Sequence, residues 1–127
     1  MLIRLNSLPV PDQQKALDFY TGILGFVKKH DVPLGEHRWI TVVAANEQDG
    51  PELVLEPMAF APAKAYYDAL FEAGIPATAF LVTDVQQEYE RLRAKNVVFS
   101  VPPTPMGPVT IAVFDDTCGH MIQMYQV

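Results

Sequence analysis

The side chains with most chemistry to offer here are spread along the chain: Glu56, Gln123, His30, His37, His120 and a single cysteine, Cys118. Glu56 closes the run Glu52-Leu53-Val54-Leu55-Glu56, whose strict alternation is that of a strand. Glu56 therefore shares a side with Val54 and opposes Leu53 and Leu55. If that side lines a cavity, Glu56 is a candidate general base or a contact for a bound ligand; the plainer reading is a hydrogen bond to a neighbour such as Gln123. Gln123 in turn shares a face with Met121 and Tyr125. An amide, a thioether and a phenol make a reasonable lining for a small molecule, and a satisfied core amide is the alternative.

The histidines carry less. Val32-Pro33-Leu34-Gly35 has proline second and glycine fourth, which suits a type I turn. That turn makes His30 and His37 cross-strand partners, yet two imidazoles without a third ligand read better as a solvated hairpin pair than as a metal centre. His120 falls at the start of a strand. Cys118 sits in a turn with no adjacent base, so nothing activates its thiol. Trp39 alternates with His37, Thr41 and Val43; it is either an aromatic wall for a planar ligand or packing at a dimer contact. Tyr66 and Tyr67 lie in a connecting helix, where ordinary packing explains them.

The elements that position these groups come from a duplicated motif. Val10-Pro11-Asp12, an amphipathic run to Tyr20 and then Ile23-Leu24-Gly25-Phe26 are echoed about seventy residues later by Val82-Thr83-Asp84, a run to Leu92 and then Val97-Val98-Phe99. Each copy reads as a strand end, an aspartate helix cap, a helix and a new strand. Ala16, Leu17, Tyr20, Ile23 and Leu24 fall on one helical face, and Gly25 follows as the C-cap. Strands are expected over residues 2–9, 26–32, 37–44 and 52–56, the last three as an antiparallel meander. A connector over 57–62 and a short helix over 63–71 lead to a strand at 77–83. Asp84 caps the second main helix, with Gln87 three residues on in a capping-box pattern. Strands at 98–101, 109–114 and 120–126 follow, with a turn at 115–119. Residues 102–108 carry so many prolines that a loop is expected. Both halves thus read βαβββ.

Composition sets the bounds. The chain has 127 residues, half of them hydrophobic and 19% charged, which fits one folded domain. A net charge of −6 argues against nucleic acid or an anionic membrane surface as partner. One cysteine excludes an intrachain disulfide. No apolar run approaches the length of a membrane span and no signal-peptide pattern opens the chain, so the cytoplasm is the expected location.

Taken together, Asp12 with Ala16-Leu17-Asp18-Phe19-Tyr20 and Leu24-Gly25-Phe26, the strand ending in Glu56, the Asp84 repeat, and Phe114 with Gly119-His120-Met121-Ile122-Gln123 resemble the vicinal-oxygen-chelate superfamily. It includes glyoxalase I, type I extradiol dioxygenases, fosfomycin-resistance enzymes and bleomycin-resistance proteins. The resemblance covers nearly the whole chain. It implies an α+β fold of two tandem βαβββ modules forming an open curled β-sheet barrel around a cavity, with the helices outside. The single domain 1–127 then divides into module 1 at about 1–57, a connector at about 58–75 and module 2 at about 76–127. It also implies a homodimer.

Enzymes of that superfamily hold one divalent metal with four side chains. Carried over by motif, the first position, seven residues before Asp12, is Leu5, which cannot ligate. The second is Glu56, which matches. The third, six residues before Asp84, is Thr78, a poor ligand, and the fourth is Gln123, where glutamate is commoner. Two plausible donors fall short of the three that a catalytic zinc usually has. The expectation is therefore a glyoxalase/bleomycin-resistance-like protein that binds a small organic molecule through Glu56, Gln123, Trp39, Met121, Tyr125, Thr78 and Leu5, with no metal or other cofactor. The alternatives are a metal-dependent lyase, isomerase or dioxygenase with a non-standard ligand set around one divalent metal, and a metal-independent enzyme using Glu56 as base.

Overall fold

A computed structural model describes residues Met1–Val127, which form two compact units, Met1–Ala63 and Lys64–Val127. The first unit contains β1 (Leu5–Val10), α1 (Gln13–Asp18, continued by a π-turn over Phe19–Ile23), β2 (Val27–Leu34), β3 (His37–Val43) and β4 (Glu52–Pro57). Its strands form one sheet in the order β1-β4-β3-β2, with β1 parallel to β4 and the other pairs antiparallel. After α2 (Ala61–Ala73), the second unit repeats the plan with β5 (Pro76–Leu81), α3 (Val85–Ala94), β6 (Phe99–Met106), β7 (Val109–Asp115) and β8 (Met121–Gln126), in the order β5-β8-β7-β6.

The helices begin where the aspartates place them. Asp12 and Asp84 have extended backbone, and each carboxylate accepts a 3.0 Å hydrogen bond, from the Lys15 and Gln87 amides. These bonds satisfy donors that a helix start leaves unpaired. Behind α1, Leu8, Val10, Ala16, Leu17, Tyr20, Ile40, Val42 and Leu55 are buried, which makes the helix-side core of the first sheet. Its counterpart in the second unit is Val85, Leu92, Ala112, Phe114, Ile122 and Met124. At about 0.8 kcal/mol per buried methylene, these two apolar layers are what hold each helix to its sheet. No helix is long and apolar enough to cross a membrane.

Four local expectations are corrected. The first hairpin turns at Gly35-Glu36, with Leu34 opposite His37; Gly35 has φ +62°, the left-handed backbone that a two-residue hairpin loop demands. His30 therefore lies opposite Thr41, not His37, and the two histidines are not partners. The proline-rich segment is strand rather than loop. Thr104, Pro105 and Met106 of β6 pair with Ile111, Thr110 and Val109, and a register shift between Val101 and Thr104 accommodates Pro102 and Pro103. The segment tolerates its missing amides because β6 is the edge of its sheet. The connector helix is longer than expected and starts at Ala61, with Pro62 in the first turn, where a missing N–H costs nothing. The first strand starts at Leu5 and leaves Met1, Leu2 and Ile3 exposed.

Candidate functional site

The face of the first sheet turned away from α1 carries Leu5 and Ser7 from β1, Val54 and Glu56 from β4, and Trp39 and Thr41 from β3. The register dictates this grouping: Ser7 stands beside Val54 in the parallel pair, and Val54 is opposite Thr41. Ser7 Oγ donates to Glu56 Oε1 at 2.9 Å, so this hydroxyl fixes the half-buried carboxylate. Trp39 is half-buried across from Val32 of β2. Leu5 is 51% exposed, a large apolar group where a ligating side chain would serve a metal enzyme. Lower on the same face, Glu52 is 3.6 Å from His30 and 3.7 Å from Lys29, so His30 belongs to a surface polar cluster around Glu52.

In the second unit, Gln123 lies opposite Val113 and Tyr125 opposite Ile111, with Met121 on the same side of β8. These three half-buried residues point away from the α3-side core of Ile122 and Met124. Thr78 is not with them. A bulge between Pro76 and Thr78 pairs Thr78 with Ile122 and leaves Ala79 beside Gln123, which places the Thr78 hydroxyl on the helix side of the sheet. The four carried-over positions thus supply one carboxylate, one amide, one leucine and one hydroxyl on the wrong face. That set does not fit a divalent metal, and no three His, Cys, Asp or Glu side chains gather elsewhere.

The remaining candidates are tied into the scaffold. His120 and Asp116 are 2% and 0% exposed, with Nδ1 and Oδ2 2.8 Å apart. Asp116 Oδ1 also accepts from the Cys118 and His120 amides at 2.7 and 3.0 Å, so this carboxylate builds the β7–β8 turn. Tyr67 of α2 meets the His120 ring edge-on at 5.5 Å. Cys118 is buried inside this turn.

Sequence reasoning missed two features. Ser7 could be assigned to Glu56 only once β1 was known to pair with β4. Gln13 is the other. Its Nε2 donates to the carbonyls of Arg38 at 2.6 Å and Leu55 at 2.8 Å, and its Oε1 accepts from the Arg38 amide at 3.1 Å. One amide thus replaces ladder bonds between β3 and β4, whose direct pairing stops at Thr41–Val54 and Val42–Leu53. At the same end of the sheet, Pro11, Asp12, Gln13, His37, Pro57 and Met58 line an open cleft of about 350 Å³. The Arg38 side chain extends the clasp. Its guanidinium donates to both oxygens of Asp31, at 3.0 and 2.7 Å, and to Gln14 Oε1 at 2.7 Å. The bonds between Arg38 and Asp31 hold the Asp31 carboxyl below its ordinary value of 3.8 and raise Arg38.

Two βαβββ units with caps at equivalent places, and with the metal-ligand positions of the resemblance only half filled, define a paired-module protein of the vicinal-oxygen-chelate class. The chain belongs to the Glyoxalase/Bleomycin resistance protein/Dioxygenase superfamily, whose model matches residues 3–124. It is 56% identical over 126 residues to the uncharacterized protein YurT of Bacillus subtilis (strain 168), covering 99% of each chain. Among solved structures it is similar to UcmS2, at 31% identity and a TM-score of 0.85, covering 100% of this chain and 98% of that one. It is also similar to TnmS3, an antibiotic binding protein from Streptomyces sp. CB03234, at 26% identity and a TM-score of 0.75, covering 99% and 95%.

Proposed function

We propose that this protein binds a small organic molecule of the antibiotic kind and does so without a metal, using the sheet faces turned away from the helices. The observation that carries the reading is the first-sheet face. Trp39 offers an aromatic surface, Ser7 holds Glu56 ready to accept a hydrogen bond, and exposed Leu5 adds apolar area where a metal ligand would stand. Apolar area with a few fixed polar groups is what small-molecule recognition requires. Gln123, Met121 and Tyr125 offer a second polar and aromatic face. The antibiotic binding described for TnmS3, 26% identical to this chain, supports the ligand class. A homodimer, which rests on the superfamily resemblance, and a cytoplasmic location, which rests on the sequence pattern alone, complete the reading.

The test uses Trp39, the single tryptophan of the chain, as its reporter. Its emission is titrated with a panel of antibiotics that includes bleomycin, before and after treatment with a chelator. A saturable change that survives chelation supports the reading. A change abolished by chelation and restored by a divalent ion overturns it in favour of a metal site.

A further inference from the structure

Thr41 is the one buried side chain whose polar atom has no partner within the protein: its hydroxyl oxygen is covered and makes no hydrogen bond. It stands in mid-sheet on the face just described, opposite Val54 and two residues along β3 from Trp39. Buried polar groups are nearly always paired, and leaving one unpaired is costly. Valine has almost the same shape and would fill the place without that cost. A buried hydroxyl in this place is explained by a partner that comes and goes.

We propose that Thr41 selects the ligand by donating a hydrogen bond to a neutral carbonyl oxygen, while the flat apolar part of the same molecule lies against Trp39. The proposal rests on the binding reading above and names the chemistry of its ligand. A carbonyl fits because the unpartnered hydroxyl has a hydrogen to donate, and a carbonyl oxygen accepts it without bringing a charge to the buried site. A neutral molecule fits because Glu52 and Glu56 stand on the same face and disfavour an anion. The hydroxyl is covered in the free protein, so side chains above it move when the ligand arrives, and Trp39 senses that movement.

A matched pair of probes isolates the contact. 9-Fluorenone and fluorene share a flat tricyclic skeleton and differ by one ketone oxygen. Each is titrated into wild type, Thr41→Val and Thr41→Ser, followed by Trp39 emission, and each protein is melted without ligand. Wild type and Thr41→Ser are expected to prefer fluorenone by about fivefold, the ratio one neutral hydrogen bond supplies. Thr41→Val is expected to bind fluorene as wild type does, to lose the preference, and to melt about 4 °C higher because the unpaired hydroxyl is gone. A preference that survives in Thr41→Val, or equal binding of both probes by wild type, overturns the Thr41 contact and leaves the binding reading standing. A lower melting temperature for Thr41→Val also overturns it, since the hydroxyl then has a partner in the free protein. Binding of neither probe by any of the three overturns the Thr41 contact, and the antibiotic titration above then decides the binding reading by itself.

Discussion

The two units follow one plan, and one position where they differ lies at the start of the main helix. The residue after the capping aspartate is Gln13 in the first unit and Val85 in the second. Gln13 reaches out of its helix and enters the sheet, where its amide takes over bonds between β3 and β4. Val85 is apolar and buried, and cannot do this. There the traffic runs the other way: Gln126 of β8 accepts from the Val85 amide at 2.8 Å, and β7 stays paired with β8 from Thr110–Gln126 to Asp115–Met121. The same topology therefore accommodates an open or a closed strand pair, with a polar side chain at the first helical position beside the open one and an apolar side chain beside the closed one. The open pair leaves a cleft at its end; the closed pair makes an uninterrupted wall behind Gln123 and Tyr125.

The strongest way to break this comparison is to give the first unit the second unit's residue. Gln13→Val strands the Arg38 and Leu55 carbonyls and the Arg38 amide, and is expected to cost about 2–4 kcal/mol in chemical denaturation. A cost below about 1 kcal/mol would mean that β3 and β4 close up unaided, and that Gln13 props open a pair that would otherwise zip. The converse change, Gln126→Leu, removes one acceptor from Val85 and is expected to cost about 1 kcal/mol. The caps should behave alike in both units: Asp12→Ala and Asp84→Ala are each expected to cost about 1 kcal/mol. A much larger loss for Asp12→Ala would show that its helix also depends on the cap to aim Gln13.

The smallest effect expected is acidic and belongs to the first unit alone. Arg38 lowers the folded-state pKa of Asp31 below 3.8, so the ion pair's contribution is complete above the unfolded value and is lost as pH falls through the lowered one. Melting temperature followed from pH 6 downward should therefore fall less steeply in Asp31→Asn than in wild type. Parallel curves for the two proteins would remove the Arg38–Asp31 pair from the clasp.

Much of this was legible in the residues. Asp12 and Asp84 announced both helices, and the alternation of 52–56 and of 121–125 placed Glu56, Gln123, Met121 and Tyr125 on their faces. What escaped depends on neighbours that a strand pattern does not name. Pro102, Pro103 and Pro105 read as loop until their strand is seen at a sheet edge, which has a ladder to supply on one side only. Thr78 sits one residue from a bulge, and one residue of slip sends a side chain to the opposite face. Gln13 looks like any exposed residue in a first helical turn, because the carbonyls it bonds are 25 and 42 residues away.

The most direct test of binding without a metal is native mass spectrometry of the untagged protein, with a parallel assay for total metal. The account predicts a chain mass free of divalent ions, able to take up an organic ligand in the absence of added metal. One tightly held divalent ion per chain would contradict it.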